Sequence, residues 1–213
     1  MCGRYYFDIK DKEIDKIVSE LDKELYGDIS TAEICPSMIA PIITRQGATS
    51  AKWGFPKLNY KGMVINARAE SLHDRIMFKR LVNSNRCIIP ASGFFEWDKK
   101  TSGKGYKNKY FFKKTDSILY MAGLYDTFYD ESRQFSLFDK AEEQLSYVII
   151  TVKANEYMDG IHDRMPLIFT KFEAERWLRG ENMNTLILGN KAELIYSDKL
   201  IHGGQISLDK DNS

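Results

Sequence analysis

The chain has 213 residues, 43% of them hydrophobic, which is enough for one domain with a sizeable buried core. Five prolines and no low-complexity tract argue against disorder, and apolar runs such as 147–152 are too short to span a bilayer. The formal net charge of +1 is unevenly spread: residues 8–33 carry nine Asp/Glu and four Lys/Arg, residues 52–114 fifteen Lys/Arg and four Asp/Glu. That basic middle stretch suits a phosphate backbone, although a solvated lysine-rich surface has the same composition. The first residues lack the apolar segment of a signal peptide, and the three cysteines (Cys2, Cys35, Cys87) are odd in number and far apart. A reducing cytoplasm is therefore the expected setting, without a disulfide framework.

In chain order, residues 8–26 read as an amphipathic helix. Ile14, Ile17, Val18, Leu21 and Leu25 share one stripe, and Gly27 stands where a C-terminal cap belongs. Strands are expected at 38–44, 86–89, 93–97, 109–113, 118–124, 147–152 and 166–169, all rich in β-branched and aromatic residues. A second helix is expected over 70–82 and a third from a capping box at Thr170-Lys171-Phe172-Glu173 to Gly180. The segment around Gly103 and Gly105 and the polar stretch 130–146 read as loops. Helices are too few to alternate with the strands, so the expected class is α+β, with a curved, mainly antiparallel sheet in one domain spanning 1–213.

Cys2 carries the most chemical information. If Met1 is removed, it presents an amine and a thiol on adjacent carbons, which no internal cysteine does. An α-amine has a reference pKa near 7.7–8, so roughly a tenth of it is unprotonated at neutral pH, far more than of a lysine. Such an amine adds to an aldehyde as a Schiff base, and the thiol can close on the imine carbon as a five-membered thiazolidine. The ring-opened sugar of an abasic site is one of the few aldehydes fixed in a DNA backbone. Read alone, Cys2 is equally an ordinary second residue.

Three other stretches bear on the chemistry. Asn66-Ala67-Arg68-Ala69-Glu70-Ser71 follows an expected strand and opens an expected helix; Asn66 both donates and accepts, and is equally a helix cap. Arg86 to Trp97 sets Glu96 within an aromatic run, where a carboxyl pKa rises toward the range useful for proton transfer, unless Glu96 faces water. Ile161-His162-Asp163-Arg164-Met165-Pro166 offers a histidine for acid–base work and an arginine for a phosphate. Cys87 reads as a small buried residue, and His73 and His202 lack comparable surroundings. No Cys/His spacing suits zinc, and there is no Walker or dinucleotide glycine motif, so neither metal nor cofactor is expected.

Together these stretches, with Met1-Cys2-Gly3-Arg4, Trp53-Gly54-Phe55 and Ala122-Gly123-Leu124, closely resemble the SRAP family (SOS-response-associated peptidases) over residues 1 to about 170. The resemblance implies a barrel-like β fold with flanking helices and a function on abasic sites in single-stranded DNA. It implies that Cys2 is the crosslinking nucleophile once Met1 leaves by self-cleavage or an aminopeptidase. Asn66 would steady the sugar and the amino end, Glu96 would serve Met1 removal and Schiff-base chemistry, and His162 would help open the sugar. Lyase activity by β-elimination is also implied. Arg4, Arg68 and Arg164 would hold phosphates, and Trp53 or Trp97 would stack beside the lesion.

The family's usual Asn-x-x-Pro reads Glu33-Ile34-Cys35-Pro36 here, and Leu58 and Tyr60 stand where another aromatic often follows the Trp-Gly element. Two rival readings use the same Cys2: an N-terminal-nucleophile glutamine amidotransferase, whose Arg-Gly-Pro and Asn-Gly-Glu elements are missing, and a general cysteine peptidase with Glu96 and His162. A DNA-binding module without covalent chemistry is a third. A cytoplasmic monomer, nucleoid-associated when on DNA, is expected, since no long heptad pattern occurs.

Overall fold

A computed structural model describes residues 2–21, 32–57, 61–98, 108–130, 142–188 and 192–197. The first half contains β1 (Arg4–Phe7), α1 (Lys12–Ser19), β2 (Ala32–Ile34), β3 (Ile39–Thr44), β4 (Gly47–Trp53), β5 (Phe55–Pro56), β6 (Met63–Val64) and β7 (Asn66–Arg68). A 3-10 turn (Ala69–Ser71) follows, then α2 (Ile76–Lys79), α3 (Leu81–Ser84), β8 (Arg86–Ala91) and β9 (Gly93–Trp97). The second half contains β10 (Lys109–Lys113), β11 (Leu119–Asp130), β12 (Glu142–Lys153), β13 (Arg164–Pro166), β14 (Ile168–Phe169), α4 (Lys171–Leu178), α5 (Met183–Leu188) and β15 (Ile195–Ser197).

Five strands close a barrel in the order β12-β4-β3-β8-β11 and back to β12. The β12–β4 pair is parallel (Tyr147 opposite Trp53), and the other four are antiparallel. Closure removes the exposed edges an open sheet would present. The barrel strands supply much of the core, including Ile42, Ile88, Leu124 and Ile149, none of them exposed. Gly123 is level with Cys87 on one side and Ile149 on the other. A Cβ at Gly123 would lie 2.4 Å from Ile89 Cδ1 and 2.7 Å from the Val148 carbonyl oxygen, so only glycine fits this close approach.

A second, antiparallel sheet runs β15-β10-β9-β1-β2. In β1 the side chains alternate, sending Tyr5 and Phe7 inward. Tyr5 joins the two sheets: its hydroxyl is 2.7 Å from the Tyr147 hydroxyl of β12, and its ring meets Trp53 at 5.3 Å. The α+β class, the curved β architecture and the flanking helices all match the sequence reading.

Several boundaries differ. Asp11 accepts from the Glu13 N–H and so starts α1 at Lys12, while Asp8 accepts from the Lys10 N–H in a turn, which moves the helix start from residue 8. Leu25 and Gly27 lie outside the described residues. The expected helix over 70–82 is three short pieces: Arg75 is extended (φ −84°, ψ 117°) between the 3-10 turn and α2, and α2 and α3 meet at Arg80. Leu72, Phe78, Leu81 and Val82 still reach the core from those pieces. The expected loop at 130–146 is partly strand: β12 begins at Glu142 and pairs with Tyr125–Asp130 of β11. The Gly103–Gly105 segment lies outside the described residues.

Candidate active site

β12 organises the site. Its C-terminal half is flanked by β7 on one side and β13 on the other, so that Thr151 pairs with both Arg68 and Pro166. Asn66 opens β7, and His162 precedes β13. Glu96 stands on β9, which pairs with β1 at Arg4 opposite Phe95, so the residues just before β1 run beside Glu96. Residues 64, 94 and 160 positions along from Cys2 thus form one chain of neighbours with it: Asn66 on its carbonyl, Glu96 near its thiol and His162 beside Glu96. The three residues Asn66, Glu96 and His162 were the ones singled out in the sequence.

The contacts are specific. The Asn66 side-chain amide donates to the Cys2 carbonyl oxygen at 2.8 Å, which leaves Asn66 Oδ1 buried without a hydrogen-bond partner. His162 Nε2 is 4.0 Å from Glu96 Oε2, with the two side chains 12% and 4% exposed. His162 Nδ1 lies 3.0 Å from both the N–H and the carbonyl oxygen of Arg164, and 3.2 Å from Asp163 Oδ1. Whichever tautomer is present, the Arg164 backbone fixes the ring with Nε2 toward Glu96.

Cys2 is fully buried, and its thiol contacts the Arg4 carbonyl oxygen at 3.8 Å. Burial pushes this thiol well above the ordinary range, and the negative charge of Glu96 adds to the effect. Burial likewise raises the Glu96 carboxyl, against the opposing pull of nearby positive charge that includes His162. The site thus holds a protonated thiol, a carboxyl that binds its proton more tightly than an exposed glutamate does, and an imidazole beside it. Glu96 faces the interior and not water, as its aromatic neighbours Phe94 and Phe95 suggest.

The expected DNA-contact residues divide. Arg68 is exposed on β7. Arg4 is bonded to Glu33 at 2.8 Å, and Lys109 reaches the same carboxylate at 2.9 Å. The Arg4 and Lys109 cations each lie 5.6 Å from the centroid of the half-buried Trp97 ring, making a cation-flanked aromatic surface. Trp53 is a correction: it is fully buried, stacks against Tyr147 and donates its indole N–H to the Ile65 carbonyl oxygen at 3.0 Å, so no base can stack on it there. Arg164 is also placed differently from a free phosphate grip, since its fork binds Glu70 at 2.7 and 3.0 Å and the Thr151 carbonyl oxygen at 2.7 Å. The role of Glu33 and Lys109 was not read from the sequence; the departure at residue 33 from Asn was the signal. Leu58 and Tyr60 lie outside the described residues. Beyond Glu33 and Ile34 of β2, the departing stretch enters a turn at Cys35–Met38, where Ser37 adopts φ 74°, the left-handed region.

Among the described residues no three His, Cys, Asp or Glu groups are placed to hold a metal ion, and no helix is long and apolar enough to cross a membrane. Cys87 is buried and His73 exposed, as ordinary structural residues; His202 lies outside the described residues.

The fold is that of a closed-barrel protein that buries the second residue of its chain beside a glutamate, an asparagine and, next to the glutamate, a histidine. The model of the SOS response associated peptidase (SRAP) family matches residues 1–195, and the chain belongs to that family. It is 31% identical over 199 residues to the abasic site processing protein YobE of Bacillus subtilis, covering 85% of this chain and 84% of the relative. It is 32% identical over 157 residues to the abasic site processing protein YedK of Escherichia coli, covering 73% and 63%. In fold it is similar to a crystal structure from Bordetella bronchiseptica (TM-score 0.75, 20% identity, 94% and 100% covered). One from Bacteroides thetaiotaomicron gives a TM-score of 0.72 at 23% identity, with 90% of each chain covered.

Proposed function

We propose that this protein processes abasic sites in single-stranded DNA by capturing the sugar aldehyde covalently on Cys2. The observation that carries the reading is the chain of contacts at Cys2, with Asn66 on its carbonyl, Glu96 influencing its thiol and His162 beside Glu96. The relatives named abasic site processing proteins supply the substrate class.

Hydrolysis of the Met1–Cys2 bond frees the Cys2 amine, with Glu96 shuttling protons. His162 helps open the closed sugar to its aldehyde. The amine adds to C1′, Glu96 accepts the amine's proton and returns it to the hydroxyl that leaves as water, and an imine remains. The sulfur then bonds to the imine carbon while the thiol proton passes to nitrogen, closing a thiazolidine. A buried thiol held protonated makes the amine the first nucleophile and sulfur the second. Where sulfur does not close, the imine acidifies C2′; loss of that proton and departure of the 3′ phosphate give lyase products. Arg4 and Arg68 would hold phosphates, with Trp97 beside them for a base. Arg164 serves the site through Glu70 and the His162 backbone contact.

The test is a denaturing gel of Met1-free protein with single-stranded DNA bearing one abasic site. A shifted band is expected, and it disappears with Cys2→Ala. Glutamine hydrolysis without trapping indicates the amidotransferase chemistry instead. Turnover of added peptides without trapping indicates a general peptidase, and a complex lost in high salt and detergent a non-covalent binder.

A further inference from the structure

On the β7 side of β12 Asn66 bonds Cys2, on the β13 side His162 faces Glu96, and one ion pair ties those two sides together. Glu70 lies in the 3-10 turn directly after β7, four residues past Asn66. Its two carboxylate oxygens take Arg164 Nη1 and Nη2 at 2.7 and 3.0 Å. Arg164 opens β13, and its Nη2 also donates to the Thr151 carbonyl oxygen and Oγ1 on the intervening strand. The Arg164 backbone in turn sets the His162 ring. The bidentate geometry is the strong, directional form of an arginine–carboxylate pair, and the Arg164 side chain is only 14% exposed.

We infer that Glu70 is a positioning residue: through Arg164 it holds His162 and the Asn66 strand at a fixed separation across β12, so that Asn66 stays on the Cys2 carbonyl while His162 stays on Glu96. It touches no reacting atom. A clamp of this kind acts on the rate of capture and leaves the phosphate-binding surface alone, because misplacing a catalytic group by a fraction of its reach costs rate steeply. This inference rests on the proposed abasic-site chemistry for its kinetic test, so a second readout is independent of DNA.

In the kinetic test, Glu70→Ala traps abasic DNA about tenfold or more slowly, while its affinity for intact single-stranded DNA stays equal or rises up to about threefold with the anion removed. Glu70→Gln, which keeps one hydrogen bond to Arg164, recovers most of the rate. Wild-type trapping by Glu70→Ala, or parallel loss of trapping and binding, overturns the assignment. In the independent test, the imidazole resonances of His162 are followed by NMR without DNA. They shift in Glu70→Ala and stay near the wild-type positions in Glu70→Gln if the clamp operates, and unchanged resonances in Glu70→Ala overturn it. Failure of the wild-type protein to trap, together with a His162 shift in Glu70→Ala, removes the abasic-site reading and leaves the clamp standing.

Discussion

Glu96 is the residue whose surroundings and proposed task are most tightly linked. Burial raises its carboxyl above the ordinary value, so the folded protein binds the proton more tightly than the unfolded chain. Stability from this group is therefore full below the unfolded carboxyl range and declines as pH rises through the raised folded value. Replacement by the neutral isostere removes that decline. Glu96→Gln is expected to melt above the wild type at pH 7, with the two curves converging on acidification below the usual glutamate range. Its trapping rate should fall by about 100-fold or more, the usual worth of a positioned proton-transfer group. Paired melting and trapping across pH check this; a Gln variant that melts lower at neutral pH contradicts the stated origin of the shift. Cys2, Asn66, Glu96 and His162 stood out in the sequence because each residue type has distinctive chemistry, and the structure sets Asn66 against Cys2 and His162 against Glu96. Trp53 was misread for a physical reason: an indole buries as readily as it stacks, and only its bond to the Ile65 carbonyl distinguishes the two. Glu70 was missed because its partner is 94 positions away, beyond any local spacing rule.

At the scale of elements, α4 shows where local sequence is sufficient. Thr170 accepts from the Glu173 N–H at 3.2 Å, Glu173 returns to the Thr170 N–H at 2.8 Å, and Gly180 follows at φ 89°. The expected start and stop were both found. Its buried Trp177 donates to the Cys87 carbonyl oxygen at 3.0 Å, docking the helix on β8. Thr170→Ala should cost about 1 kcal/mol of stability in denaturant unfolding, with trapping unchanged, since the cap is remote from Cys2. A loss of trapping at full stability would show that α4 communicates with the site. The strands β9 and β10 were also legible, with bounds at Gly93–Trp97 and Lys109–Lys113 as expected. The start of β12 was not, because Glu142, Glu143 and Gln144 carry no apolar alternation. Their backbone pairs with β11 all the same, which satisfies the main chain whatever the side chains prefer. Residues 66–69 were read as the lead into the helix at 70–82, with Asn66 as its possible cap; parallel pairing with β12 makes 66–68 a strand instead.

The molecule as a whole depends on closure of the barrel, and closure depends on close passage between strands. Gly123→Ala must push Ile89 and the Val148 carbonyl apart. A cost of about 1–3 kcal/mol is expected, seen as a fall in Tm of about 2–4 °C per kcal/mol. An unchanged Tm would mean the barrel yields at this point. Composition and motif order were enough for the class and the curved architecture. They did not show that β12 runs parallel to β4 and β7 while opposing β11 and β13, since a parallel partner leaves no hairpin signal between adjacent strands. That double pairing at Thr151 has an engineering consequence. Asn66 and His162 are both indexed to one strand and to the Glu70–Arg164 pair that crosses it, so the connection leading into β7 and the chain before Ile161 can be lengthened or grafted while these side chains keep their places. A scaffold of this kind lends itself to redesign of its substrate-facing rim.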